Sequence, residues 1–440
     1  MNLLIKSKTS LIICLFISIF YFILLDRITP LGINWRDHFE DEFNNAVHNI
    51  LNNFDYTFIG LTNTKNIIQN SKNESVYITP ALYFLHFALI KKIFGDFVLK
   101  FISPVITNTI IVLSGILVGK ITVLLLKPKI ELENFILSIS SFIFFLFSPW
   151  TYKMVLAPHR EIYFFFALVL SIYLSLKNIN KASKIIFIIG CFYQYQWAFL
   201  ISFFNILLLT ISLLLRNSKI IYSYLIFHFN NYKEIFYFSL LSFIPTFLAI
   251  FQNLVIQIIK PGVKIINSSA FSRIGIDSSA NIFHGGYLGA LQFLGGNRIS
   301  YCFSDSFNLR EAIDNNLGIK NIGPIFSYHC ALTIFSCFLL SILSIIGIFL
   351  LLRINNHAKK VLTSLIFAIV LFLSLFQQTW SAHLHYYSYS FSIIFAIGIV
   401  SLYKIVSEEL TNNDIIRIIF FIPIVIGISI SLIRSSIMMN

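Results

Sequence analysis

The sequence is short of charge, since only 12% of its 440 residues are Asp, Glu, Lys or Arg. A soluble domain carries about 25%, so this chain has too few charged side chains to solvate a globule of its size. Hydrophobic residues make up 57% of the chain. This balance excludes an ordinary soluble domain and predicts a polytopic integral membrane protein, most of whose mass lies in transmembrane helices.

Cysteine is also scarce, with five scattered residues and no CxxC spacing. The pattern therefore indicates neither a zinc site nor a disulfide framework. No HExxH segment is present, and no GKS or GKT follows the Gly pairs, which argues against a zinc hydrolase and a P-loop. The net charge of +13 would suggest nucleic acid in a soluble protein. Here we expect Lys and Arg to hold the cytoplasmic face against anionic lipid, with no nucleic-acid partner.

Apolar runs recur along the whole chain. At about 20 residues per span they predict about eleven transmembrane helices in one all-α bundle, with residues 1–440 as a single transmembrane domain. No small-residue cleavage site follows the first run, so we expect it to stay in the membrane. The run 80–93 is short and is predicted to lie at the interface. The predicted spans are 9–25, 97–126, 135–156, 162–176, two short spans within 184–215, 235–258, 330–352, 361–376, 387–403 and 415–432.

The distribution of Lys and Arg predicts which side of the membrane each connection between spans faces. If 80–93 does not cross, the basic connections 120–129, 177–184, 216–233, 353–360 and the one after Lys404 all lie inside, as the positive-inside rule requires. The outside then holds a first outer loop, 26–96, and a large outer loop, 260–329. It also holds the short segments 153–161, 193–196 and 377–386. We therefore expect a multi-pass protein of the plasma (inner) membrane, with its chemistry on the non-cytoplasmic face.

The first outer loop carries an acidic run next to the bilayer. Apolar residues recur at helical spacing from Phe39 to Ile50, which predicts an amphipathic helix lying on the membrane. Asp37, Asp41 and Glu42 are the candidate catalytic residues, because a carboxylate here can take a proton from a sugar hydroxyl or hold a divalent cation. The alternative is that the acidic run is only a solvated face, as isolated acidic runs usually are. Its position directly after the first span favours a catalytic role.

This run resembles the start of the GT-C superfamily of membrane glycosyltransferases, such as the protein mannosyltransferases and aminoarabinose transferases. The matching residues are Asp41-Glu42, Ala46, Gly60, Pro80-Ala81-Leu82-Tyr83 and Phe94-Gly95, followed by a helix, a basic inner loop and a helix that leads to Glu161. In the family, the stretch that corresponds to 80–93 belongs to the outer loop. This chain departs from the pattern in having one Pro where many members have two, and its second half aligns with no member.

The resemblance implies transfer of a sugar from a polyprenyl-phosphate-linked donor to a glycan, lipid or protein acceptor, with inversion at the anomeric carbon. It implies a substrate-binding role for Tyr83. Some members use a divalent cation and others do not, so the cofactor is left open. Which carboxylate of the first outer loop is the base is also left open.

Pro158-His159-Arg160-Glu161 lies where an apolar run meets the outer interface. Ionisable residues at membrane depth are costly and often mark function. We predict that Arg160 contacts a carrier phosphate and that Glu161 or His159 lies near the acceptor. The alternative is an Arg160 that snorkels and pairs with Glu161.

Two more outer segments carry candidate residues. His383 and His385 stand in an aromatic-rich stretch, which fits either an interfacial belt or a site beside the carrier phosphate. The large outer loop contains two Gly-Gly pairs, and we interpret it as a lid or acceptor-binding loop, with a simple spacer as the alternative.

Two other functions fit the composition. An O-antigen or capsule polysaccharide polymerase would have its essential residues in the large outer loop, near the arginines. A flippase or transporter would have charged or Gly/Pro-broken residues in the middle of its spans, and the predicted spans are largely free of charge.

The predicted topology can be tested by thiol labelling. In a cysteine-free background, Asn70→Cys and Asp305→Cys should both react with an impermeant thiol reagent added from outside, because both loops are expected on one side. Lys127→Cys, in a predicted inner loop, is the matched control and should be protected. Labelling of only one of the two outer positions would contradict the arrangement.

Overall fold

A computed structural model describes residues 12–23, 61–63, 75–78, 81–151, 160–216, 224–259, 264–265, 322–375, 384–411 and 413–438. Helices account for almost all of this structure, as predicted. They are α1 (Ile12–Ile23), α2 (Ala81–Leu126), α3 (Glu131–Leu146), α4 (Arg160–Leu176), α5 (Asn180–Cys191), α6 (Tyr195–Leu214), α7 (Tyr232–Ile259), α8 (Ile322–Ile354), α9 (Asn356–Leu375), α10 (Leu384–Leu410) and α11 (Asp414–Met438).

Five stretches of these helices are long and apolar enough to cross a membrane. They are Val105–Leu126, Gln196–Leu214, Phe335–Ile354, Tyr389–Leu410 and Ile415–Leu432. Two shorter apolar helices, Ile12–Ile23 and Glu161–Leu176, coincide with further predicted spans. The membrane character of the chain rests on these helices, and the total of about eleven spans stays a prediction.

Helix boundaries follow local chemistry. The predicted span 135–156 is divided, because α3 ends at Leu146, shortly before Pro149. Proline disfavours helical geometry in the residue before it. Trp150 is fully buried just beyond this break, with its ring 4.7 Å from that of Phe391. The chain that follows α3 therefore contributes to the aromatic core, as the helices do.

Helix α2 is broken at Gly95, whose φ of 84° and ψ of 173° are not helical. This is backbone that glycine adopts readily and that side chains disfavour. His86 and Thr107 lie about 13 Å and about 18 Å of helix from Gly95, on either side of it. Both nevertheless contact Tyr163, at 5.1 Å between ring centroids and 3.2 Å between hydroxyl oxygens. The first part of α2 therefore folds back along the second part and does not extend it.

The predicted inner connections lie together at one end of the bundle, which we term the basic end. The side-chain amide of Asn355, between α8 and α9, donates to the carbonyl of Leu125 near the end of α2. Ser175, near the end of α4, donates to the carbonyl of Ile226 at 2.9 Å. The basic connection 127–130 thus adjoins the basic turn that joins α8 and α9, and the connection 177–179 adjoins the segment that precedes α7. The starts of α4 and α10 lie at the opposite end.

Three short strands join the two outer loops. Leu61–Asn63 pairs antiparallel with Ser75–Ile78, and Ser75–Ile78 pairs in parallel with Lys264–Ile265. The third strand follows α7, a helix that starts at the basic end, so the sheet adjoins the opposite end. The side of the membrane on which the two loops lie stays a prediction.

A cluster of charged side chains ties three helices together near the basic end. Lys404 on α10 pairs with Glu133 on α3 and with Glu408, the latter at 2.9 Å. Arg417 on α11 lies 3.4 Å from the same Glu408 carboxylate. Lys404 and Glu133 are both buried, at 2% and 5% exposed. Charges so deeply buried persist only when they are paired.

Loss of one partner should therefore destabilise the bundle. Lys404→Met leaves Glu133 buried without its ammonium partner, and we expect a loss of about 3–5 kcal/mol. The control is the double variant Glu133→Leu/Lys404→Met, which removes both charges and should regain most of that stability. Unfolding in denaturant, followed by helical circular dichroism in detergent, measures both. A single variant as stable as the parent would show that the pair does not hold the helices.

Candidate functional site

Glu161 lies in the first turn of α4, at the end opposite the basic end. Its side chain is buried, with only 2% exposed. The amide of Gln194 donates a hydrogen bond from Nε2 to Oε1 of Glu161, at 2.7 Å. A carboxylate among apolar helices is costly unless donors meet it. This bond therefore fixes where the carboxylate lies.

Gln194 is positioned by the turn that joins α5 to α6. The backbone N–H groups of Phe192 and Tyr193 donate back to carbonyls at the end of α5, at 3.1 and 2.9 Å. Gln194 follows in an extended conformation as the N-cap of α6, and its Oε1 accepts a bond from the backbone N–H of Gln196 at 3.3 Å. One fully buried amide thus caps a helix and holds a carboxylate.

An aromatic group lies beside this pair. Tyr163 and Tyr193 stack with ring centroids 5.3 Å apart and planes 9° apart. The ring of His86 lies 5.1 Å from the Tyr163 ring and 5.9 Å from the Tyr193 ring. Burial raises the pKa of Tyr193, so its hydroxyl stays protonated. The group joins the folded-back part of α2 to α4 and to the turn before α6.

The helix register brings the position of His385 to the depth of Glu161. The rings of Phe165 on α4 and Tyr389 on α10 are 5.9 Å apart. Both helices run from this end toward the basic end, so their chain directions agree. Glu161 and His385 each precede their member of this pair by four residues, which is about one turn, or roughly 5–6 Å. The two backbone positions therefore share one level on neighbouring helices.

The structure unites part of the site predicted from sequence. Arg160 is the first residue of α4 and directly precedes Glu161, and His385 lies in the first turn of α10, at the level of Glu161. Tyr83 lies in the first turn of α2, one turn before His86. The remaining predicted site residues, Asp37, Asp41, Glu42, His159 and His383, lie outside the described residues. So do the predicted amphipathic helix and most of the large outer loop.

Several residues at this end were not predicted as candidates. Gln194, Tyr193, Tyr163, His86 and Thr107 emerge only from contacts between distant parts of the chain. One local signal was available, since Gln194 is a polar residue in a turn between two apolar runs. Its partner, 33 positions earlier, could not be inferred from that pattern.

Metal binding finds no support within the described ranges, where no three His, Cys, Asp or Glu side chains are grouped to hold an ion. The carboxylates that the sequence offers for a divalent cation, Asp37, Asp41 and Glu42, lie outside those ranges. Comparison with known proteins gives no assignment, since no family model, no curated protein and no solved structure matches the chain.

Gly190 allows the turn before α6 to approach α4. A Cβ added at this residue would lie 2.7 Å from Cβ of Ala167. That separation is well below ordinary van der Waals contact, and the methyl group of Ala167 has no rotamer by which to move away. The position of Gln194, four residues later, depends on this close packing.

Substitution of Gly190 should therefore disturb the site through packing. We expect Gly190→Ala to destabilise the protein by about 1–3 kcal/mol, as overpacked cores do. Ala167→Gly in the same chain makes room and should restore most of the loss. Thermal unfolding in detergent can be followed by the reaction of a fluorogenic thiol reagent with Cys14, Cys191 and Cys337, which are buried. Parent-like stability of Gly190→Ala alone would contradict the packing argument.

Proposed function

We propose that this protein is an inverting membrane glycosyltransferase, which takes a sugar from a polyprenyl-phosphate carrier and passes it to an acceptor at the non-cytoplasmic face. The observation that carries the proposal is the buried Glu161–Gln194 pair, at the end of the bundle opposite the basic end. Polar groups that serve only solvation would lie exposed. A buried carboxylate on a neutral amide, next to Arg160 and level with His385, favours a site.

The depth of these residues suits a lipid-linked donor. Arg160 is the first residue of an apolar helix, α4. In the proposal, its backbone lies near the height of the lipid phosphates, at the edge of the hydrocarbon layer. A guanidinium can hold two phosphate oxygens at once. In the proposal, Arg160 binds the carrier phosphate, and His383 or His385 assists.

The chemistry then needs a base on the acceptor side. In the proposal, Asp41 or Asp37 takes the proton of the acceptor hydroxyl. The acceptor oxygen forms a bond to the anomeric carbon as the bond from that carbon to the phosphate oxygen breaks. The configuration inverts, and polyprenyl phosphate leaves with both electrons of the broken bond. Arg160 stabilises the negative charge on the leaving phosphate.

The folded-back part of α2 supports the same proposal. Gly95 is the glycine of the Phe94-Gly95 match, and it is the point at which the helix reverses. The reversal returns His86 to the aromatic group beside the Glu161–Gln194 pair. A motif residue and the candidate site are thus connected by one helix break.

A transporter is less well supported. The buried charges of Lys404 and Glu133 lie near one end of their helices, with Lys404 about 9 Å from the last residue of α10. Substrate sites of transporters lie near the middle of the bilayer, where helices are interrupted. A polysaccharide polymerase would differ from the proposed glycosyltransferase in having its essential residues in the large outer loop.

The proposal is tested by removing the base. Membranes from a host that carries the acceptor are supplied with a panel of polyprenyl-phosphate hexoses, and release of polyprenyl phosphate is measured. Asp41→Asn should lower the rate by about 10²–10⁴-fold, because a positioned base is lost while size is kept. Asp55→Asn, in the same loop but outside the acidic run, is the matched control and should stay active.

The outcomes separate the assignments. An active Asp41→Asn with an inactive Asp37→Asn would move the base to Asp37. Activity in both of these variants and in Glu42→Gln would show that the first outer loop is not catalytic. If loss of activity followed only from arginine substitutions in the large outer loop, the polymerase would be the better assignment.

A further inference from the structure

We propose that Gln194 is a positioning residue, whose amide orients Glu161 for sugar transfer; this inference rests on the function proposed above. Gln194 was not among the residues that the sequence pattern suggested. It belongs to no motif of the glycosyltransferase resemblance. Its role is inferred from geometry alone.

The orientation of the Gln194 amide is fixed at both ends. Its oxygen accepts from the backbone N–H of Gln196 at 3.3 Å, and its nitrogen donates to Glu161 at 2.7 Å. A flipped amide would set its oxygen against a carboxylate oxygen and its NH₂ group against an N–H donor. Both contacts would be repulsive, so the amide is locked with its donor toward Glu161.

The choice of residue points to more than helix capping. Ser, Thr, Asp and Asn are the favoured N-caps because their short side chains reach the N–H groups of the first turn. Glutamine is longer, and its capping bond here is the weaker of its two bonds by distance. The extra methylene is what allows the amide to reach α4. The length of this side chain is therefore explained by Glu161 and not by the cap.

The same bond couples two elements of the site. Glu161 lies on α4 at the level of His385, whereas Gln194 lies in the turn before α6, beside Tyr193 and its stacked partner Tyr163. Both polar side chains are at most 2% exposed, so water does not readily replace either partner. Without the amide, the carboxylate would lose a donor that defines its direction.

Positioning and capping predict opposite results for Gln194→Ser. Serine is a favoured N-cap, so the helix should be capped at least as well as in the parent. Serine is too short to reach Glu161, so the carboxylate loses its amide donor. We expect some loss of thermal stability in detergent, because the buried carboxylate loses a donor. In the folded protein we expect a fall in kcat of about 10–100-fold, with a smaller change in KM for the donor, since a misplaced group mainly harms the transition state.

A second variant keeps the inference testable if Gln194→Ser folds poorly. The exchanged pair Glu161→Gln/Gln194→Glu restores a buried amide–carboxylate bond of similar length, but the carboxylate now belongs to the turn. We expect this variant to fold and to stay below one tenth of the parent kcat. Glu161→Gln alone is the reference for complete loss of the charge.

The measurement uses the full-length protein in proteoliposomes with the polyprenyl-phosphate hexose that the parent consumes. Parent-like kcat in Gln194→Ser, or in the exchanged pair, would overturn the positioning role while leaving the glycosyltransferase assignment intact. A parent that consumes no polyprenyl-phosphate sugar would overturn the proposed function, and with it this inference. The two failures are therefore distinguishable.

Discussion

An ionisable side chain buried among apolar helices needs a partner, and this constraint governs where the chain puts its few charges. Lys404 is matched by Glu133, and Glu161 is met by Gln194. The two pairs lie toward opposite ends of the bundle and differ in kind. Near the basic end, opposite charges cancel. At the other end, the amide of Gln194 donates a hydrogen bond to the carboxylate of Glu161.

The helix break at Gly95 allows the end opposite the basic end to be built from distant parts of the chain. A continuous α2 would carry His86 far beyond the ends of its neighbours. Because the helix reverses, the same element supplies Thr107 from one part and His86 from the other to Tyr163. Close packing at Gly190 does the same for the turn that carries Gln194. Two glycines thus position side chains that are far apart in sequence.

Much of the helical layout is predictable because hydrophobicity sets helix length in a membrane. The pattern predicted two short spans within 184–215, and in this stretch α5 ends at Cys191 and α6 begins at Tyr195. The pattern missed the break after Leu146, since it overlooked Pro149 in an otherwise apolar run. The predicted charge-free spans also missed Lys404 and Glu408, because α10 extends to Leu410 and not to 403.

The candidate site was less predictable because its bonds are not local. The sequence singled out Glu161 because an ionisable residue at membrane depth is energetically costly. That cost can be recognised without knowing the fold. The sequence could not identify Gln194 as a site residue. A polar residue in a turn is ordinarily explained by contact with solvent, and only its partner shows otherwise. Only the packing of α4 against the turn before α6 shows that one amide serves both a helix end and a carboxylate. A polar residue in a turn between two short apolar helices should therefore be examined for a buried partner on the helix packed against it.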